Sequence, residues 1–153
     1  MISLLTLAAL LLMLLFGLVL FSHFKTPDTG IVNGKLKPCP DSPNCVCSEA
    51  YADKQPIHTI DSIKVDSGDI DDLWQLLRDA VVESGGDVVE ENSGYLHAEF
   101  TTPLLRFVDD LELRLDRQQH EIHMRSASRV GRSDLGANRK RIEQIWSRLG
   151  DGK

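Results

Sequence analysis

Residues 2–21 contain no charged side chain. A helix of twenty residues spans about 30 Å, the thickness of bilayer hydrocarbon. No Lys or Arg precedes this Leu-dominated run, and no small-x-small cleavage site follows it, since the chain continues Leu20-Phe-Ser-His-Phe-Lys25. Both absences argue against a cleaved signal peptide. Leu36-Lys-Pro-Cys39 also lacks the small residues that lipid attachment at a cysteine requires. The expectation is a retained single-pass membrane anchor over residues 1–24.

Other absences narrow the chemistry. Aromatic residues make up 6% of the chain and the net charge is −6, so nucleic acid is a poor partner. Ser126 and Ser128 have no Gly-x-Ser-x-Gly context and no positioned base. His120 and His123 flank a turn with opposite parity, so their rings diverge and no metal is expected there. No cofactor is implied. The chain has three cysteines, and Cys-x₅-Cys-x-Cys matches neither zinc nor Cys-x-x-Cys redox spacing. Cys39 and Cys45 enclose a tight Pro-Asp-Ser-Pro-Asn loop, readily closed by a disulfide in an oxidising compartment. Cys47 reads as a small, partly buried thiol, with disulfide exchange as the alternative.

What the chain does have is a concentrated basic segment. Residues 125–141 carry six Lys or Arg (Arg125, Arg129, Arg132, Arg139, Lys140, Arg141) against one acid, Asp134. Such a segment is either an anion-binding surface or an ion-pair framework for the acidic remainder.

Along the chain, residues 25–37 are rich in Gly, Pro, Thr and Lys and read as a tether. Residues 38–150 read as one α+β domain. A strand is predicted over residues 57–65, then a helix from Ser67 with Ile70, Leu73, Trp74, Leu77, Ala80 and Val81 on one face. Acids in its first turn complement the dipole, and Ser84-Gly85-Gly86 ends it. Strands follow at 87–91, 95–102, 107–116 and 120–130, the longer ones alternating apolar and polar. A last helix is expected from about Ser133, with Leu135, Ile142, Ile145, Trp146 and Leu149 on one face. The order β-α-β-β-β-β-α implies an antiparallel sheet of about five strands with both helices on one side.

If Asp116 and Glu121 close a four-residue loop, the register follows by counting. Arg114 faces His123 and Glu112 faces Arg125 on the outer side. Leu113 faces Met124, Leu111 faces Ser126 and Asp109 faces Ser128 on the inner side. The Glu112–Arg125 pair is a structural ion pair, worth about 0.2–1 kcal/mol as an ordinary cross-strand pair. Asp109 shares the parity of Phe107 and Leu111 and so points inward. A buried carboxylate needs a partner, and Ser128, Arg132 or Arg139 are within reach. Ser133 or Asp134 can cap the last helix. An anion could sit at that helix start among Arg129, Arg132, Ser133 and Arg139.

Three stretches resemble a known family, DUF1499, a domain of unknown function: Cys39-Pro-Asp-Ser-Pro-Asn-Cys45-Val, Phe107-Val-Asp-Asp110, and Arg125-Ser-Ala-Ser-Arg-Val-Gly-Arg-Ser-Asp-Leu-Gly-Ala-Asn-Arg139. The resemblance runs from about residue 36 to 149. It implies a secreted or membrane-anchored bacterial protein and carries no established activity. Cys47 departs from the family pattern, in which serine is usual, and this weakens a mechanism built on the third thiol.

The lysines at 25, 35 and 37 follow the apolar run and point to a cytoplasmic domain, whereas the Cys39–Cys45 loop points to an oxidising compartment. The reading adopted is the bacterial inner membrane with the domain in the periplasm. The function expected is a non-catalytic envelope module binding an anionic small molecule, a lipid headgroup or a protein partner. The alternative is a hydrolase or transferase with Asp109 as acid–base and an arginine clamp.

Overall fold

The computed structural model describes residues 3–49, 51, 55–65 and 69–150. It begins with helix α1 (Leu4–Phe24), capped by the Ser3 side chain, which accepts a hydrogen bond from the Thr6 amide. With a mean hydropathy of 2.9, α1 is long and apolar enough to cross a membrane.

Residues 25–37 do more than tether. Strands β1 (Ile31–Val32) and β2 (Lys35–Leu36) form an antiparallel hairpin. Its two-residue turn is Asn33-Gly34, both at positive φ, the backbone that a tight hairpin requires. Leu36 is fully buried beside Cys47 and Tyr95.

Strand β3 (Cys45–Cys47) follows the disulfide between Cys39 and Cys45, and β4 (Ile63–Lys64) comes next. Sequence patterning missed β3 and overextended β4, because residues 57–62 make a turn and one parallel bridge, Thr59 to Cys47. Helix α2 (Ile70–Glu83) is capped by Asp69 accepting from the Asp71 amide at 2.8 Å. The start expected at Ser67 lies outside the described residues.

The remaining strands are β5 (Asp87–Asn92), β6 (Tyr95–Thr101), β7 (Val108–Asp116) and β8 (Glu121–Ser128). They run β8-β7-β6-β5 in space, all antiparallel, while β3 and β4 share the outer edge of β8 end to end. The sheet therefore has six strands rather than about five. The β7–β8 register is the one counted from the sequence, from Asp116 opposite Glu121 to Asp109 opposite Ser128.

The last helix, α3 (Ala137–Gly150), starts four residues later than expected. Leu135 and Gly136 adopt left-handed backbone, φ 54° and 81°, which a right-handed helix cannot include. Leu135 is consequently 97% exposed instead of joining the apolar stripe.

Helices α2 and α3 pack on one face of the sheet. Trp74, Leu77 and Val81 of α2 and Ile142 and Ile145 of α3 join Leu96, Leu111, Leu113, Ile122 and Met124 in one core. Gly86 is needed for close approach, since a Cβ there would lie 2.8 Å from the Phe100 ring and from Val81. The opposite face, expected to meet solvent, is covered by the residues that follow α1. Asp110, Glu112, Arg125 and Arg129 are buried under that cover.

Candidate functional site

Asp109 and Asp110 are successive strand residues and point to opposite faces. Each meets an arginine of the basic segment. On the covered face, Arg129 donates from Nε and NH2 to the two Asp110 oxygens at 2.9 and 2.7 Å and also pairs with Glu99. His97 donates to Asp110 Oδ1 at 2.7 Å. Burial alone would push the Asp110 carboxyl up, but the His97 and Arg129 hydrogen bonds outweigh it and hold it below the ordinary range. The same carboxylates, Asp110 foremost, raise the Arg129 guanidinium further above its usual value.

Next along this face, Glu112 accepts from Arg125 NH1 at 2.8 Å, Tyr95 OH at 2.9 Å and the Gly30 amide at 2.6 Å. Glu112 and Arg125 are 0% and 2% exposed, so the surface estimate for this pair is corrected: it is a buried pair. Glu49 does the same for Arg114 Nε at 2.6 Å and the Leu36 amide at 3.2 Å. The strap after α1 thus supplies backbone donors to two buried carboxylates.

On the helix face, Asn138, Arg141, Ile142 and Ile145 fall on the side of α3 turned to the sheet, at helical spacing. Arg141 NH2 donates to Asp109 Oδ2 at 2.6 Å, and its guanidinium lies 4.7 Å from the centre of the Phe100 ring. The partners expected for Asp109 were Ser128, which does lie opposite it in β8, and an arginine, Arg132 or Arg139. The later helix start moves Arg141 into that position and turns Arg139 outward, where its NH2 donates to the Ile57 carbonyl at 3.0 Å. Asn138 is fully buried and links four segments. Its Nδ2 faces the Asn44 carbonyl, Ser128 Oγ and Asp134 Oδ2 at 2.8–3.0 Å, while its Oδ1 accepts from Ser126 and Arg141.

The four residues expected to share an anion therefore do different work. Arg129 is 6% exposed and held by carboxylates, and Arg139 holds a backbone carbonyl. Ser133 Oγ accepts from the Leu135 amide at 3.3 Å, and Asp134 already occupies the start of α3, accepting from the Gly136 and Asn138 amides. Arg132 is exposed. Asp109 is 2% exposed and held by Arg141, and it borders a cavity between residues 102–107 and 128–137. Among the described residues, no group of three or more His, Cys, Asp or Glu side chains is placed to hold a metal ion. Sequence reasoning missed His97, Glu49, Asp110 and Asn138, since isolated polar residues at alternating positions look the same on a solvated face and a covered one.

Two cavities lie where α1 meets the sheet. The first, about 410 Å³, is lined by Lys25, Thr26, Ser42, Asn44, Arg125 and Arg129. Its acids are already engaged, Asp28 by Lys37 at 2.8 Å and Asp110 by Arg129. The second, about 380 Å³ and mainly apolar, lies between residues 102–107 and 128–137. Leu18, Ser128, Val130 and Gly131 line both. A compartment of mixed polar and apolar lining thus adjoins an apolar one, with a residue of α1 in the shared wall. Two hydrogen bonds tie the end of α1 to this region: His23 Nε2 donates to the Arg106 carbonyl at 2.9 Å, and Lys25 Nζ donates to the Arg129 carbonyl.

The family model described as "Protein of unknown function (DUF1499)" matches residues 35–149. No curated protein matches the chain.

Proposed function

The chain belongs to the DUF1499 family of proteins of unknown function, and from its own chemistry we propose that it is a membrane-anchored, non-catalytic envelope module that binds a lipid headgroup. In this reading α1 is retained as a single-pass anchor in the bacterial inner membrane and the domain faces the periplasm. The Cys39–Cys45 disulfide is compatible with that oxidising side.

The observation that carries the reading is the pair of adjoining cavities at the end of α1. A lipid is polar at one end and apolar at the other, and this pair sets cationic and amide groups in a mixed compartment beside an apolar one. Beside their bonds to the Arg129 and Gly131 carbonyls, Lys25 and Asn44 each keep a donor for a phosphate, and the Val130 wall leads into the apolar compartment. Lys25 follows α1 directly, at the depth where headgroups lie beside a spanning helix.

The test is titration of the full-length protein in detergent with short-chain phosphatidylglycerol and phosphatidylethanolamine, and separately with inorganic phosphate. Saturable binding of a phospholipid, weakened at least about tenfold (1.4 kcal/mol) by Lys25→Glu, is expected. Phosphate binding as tightly as the phospholipids would make the ligand a soluble anion, and no saturable binding would reject the reading.

A further inference from the structure

Two loops beside α1 expose large aliphatic side chains that nothing in the domain covers. Leu104 is 88% exposed, Leu105 46% and Leu135 97%. Single exposed leucines are ordinary, but a contiguous exposed apolar patch marks a site of contact with a protein or a membrane. These residues line one apolar groove, and the groove also contains Leu18 of α1.

The backbone holds Leu135 outward. Left-handed φ is unfavourable for a residue with a side chain, yet Leu135 adopts it, and the turn is fastened by Ser133 and Asp134 accepting from the Leu135 and Gly136 amides. In the other loop, Arg106 also has positive φ, 58°. There, too, the chain turns immediately beyond exposed leucines. A fastened turn that presents leucine to water is hard to explain by the stability of the domain alone.

The depth of the groove identifies what covers it. Leu18 lies six positions before Phe24, the last residue of α1, which places it about 9 Å below the end of the helix. In a spanning helix that level is inside the hydrocarbon or at its edge. A loop that shares a groove with Leu18 must then enter the bilayer with it. The fastening of α1 fixes this height, because His23 bonds the Arg106 carbonyl and Lys25 the Arg129 carbonyl. The exposed cations Arg106 and Arg132 flank the leucines, as long basic side chains do when they reach from an apolar layer to phosphate headgroups.

We infer that the loops at residues 102–107 and 130–136 are seated in the bilayer leaflet at the C-terminal end of α1, with Leu104 and Leu135 among the acyl chains. The domain would then lie on the membrane surface instead of swinging from a tether. This inference rests on α1 being a membrane anchor, and is independent of whether a headgroup fills the mixed cavity.

The experiment is fluorescence of full-length protein reconstituted in phosphatidylcholine–phosphatidylglycerol vesicles whose acyl chains are brominated. Leu104→Trp and Leu135→Trp replace exposed side chains and leave the core intact. Phe16→Trp on α1 reports anchoring, and Leu76→Trp on the exposed side of α2 reports water. Emission added over the unsubstituted chain, which carries Trp74 and Trp146, is the readout. Brominated chains should remove most of the added emission of Phe16→Trp, Leu104→Trp and Leu135→Trp, and little of that of Leu76→Trp. Aqueous acrylamide should show the reverse order. Quenching of Phe16→Trp alone would overturn the seating of the loops while leaving the anchor standing. No quenching of Phe16→Trp would overturn both. Equal quenching of Leu76→Trp would overturn the inference in favour of general adsorption.

Discussion

Asp110 and Arg129 meet side-on, two guanidinium nitrogens donating to two carboxylate oxygens at 2.9 and 2.7 Å. The pair is buried, and it joins the middle of the sheet to the turn that leads into α3. Removing Asp110 leaves the buried Arg129 charge with Glu99 alone and His97 without its acceptor. Asp110→Ala should therefore lower unfolding free energy by about 3–5 kcal/mol. By contrast Arg117→Ala, which removes the exposed pair with Asp71, should leave the urea midpoint unchanged within error. If both variants behaved like the exposed one, the buried network would not be what holds the basic segment in place.

Acid should destabilise the domain in two stages. Burial keeps His123 neutral, its folded pKa lying below the ordinary 6.5. As pH falls through 6.5 the unfolded chain binds this proton first, so stability declines until the folded pKa is passed. Asp110, Asp28 and Asp116 have folded values below 3.8. Their stabilisation is complete above that pH and is lost as pH falls through the folded values. Urea midpoints measured from pH 8 to pH 3 should show both declines, and His123→Gln should remove only the upper one.

Cys47 should be inert while the domain is folded. Burial pushes its thiol up to about 11, and only the thiolate is reactive. A thiol reagent at pH 8 should label no cysteine in folded, oxidised protein and one per chain after denaturation without reductant. Three labels would mean that Cys39 and Cys45 are reduced where the protein was made, which would contradict the periplasmic reading. Rapid labelling of the folded form would restore disulfide exchange as a candidate activity.

The legible parts of the fold were those governed by one period and one turn. The β7–β8 hairpin follows from alternation plus a four-residue loop, and α2 from its apolar stripe and Asp69–Asp72. The strap over the second face was not read, although Ile31-Val-Asn-Gly-Lys-Leu36 carries the Asn-Gly signal of a tight hairpin. Glu112, Arg114, His123 and Arg125 look like a solvated face because alternation records polarity and not cover. Only the positions of Gly30, Leu36 and Glu49 turn that polarity into a buried network. Leu135 was misplaced for a related reason: apolar spacing assigned it to α3, whereas the left-handed turn at Leu135-Gly136 sets it outside. The candidate site was least legible of all, since it joins the end of α1 to Arg106 and Arg129, more than eighty residues further on.

Asn138 gives the sharpest test of whether the basic segment is framework. Its amide serves the end of β3, two serines of β8, the Asp134 turn and Arg141 at once. Asn138→Ala leaves the Ser126 hydroxyl proton without its acceptor, although the Asn44 carbonyl keeps the Ser128 amide, and a buried unsatisfied group costs about 1–3 kcal/mol. Asn138→Asp keeps the shape and the acceptor for Ser126 and Arg141, but removes the donors and sets a carboxylate against that of Asp134, 2.8 Å away in the native pair. Like charges that close cannot both ionise without penalty. Asn138→Asp should therefore lose more stability than Asn138→Ala at pH 8, and the gap should narrow towards pH 3, where the introduced acid becomes neutral and regains a donor. Urea midpoints of the two variants at the two pH values decide it. A gap independent of pH would mean that Asn138 acts by packing, and that the convergence of Asp134, Ser126 and Arg141 on one amide does not govern the position of α3.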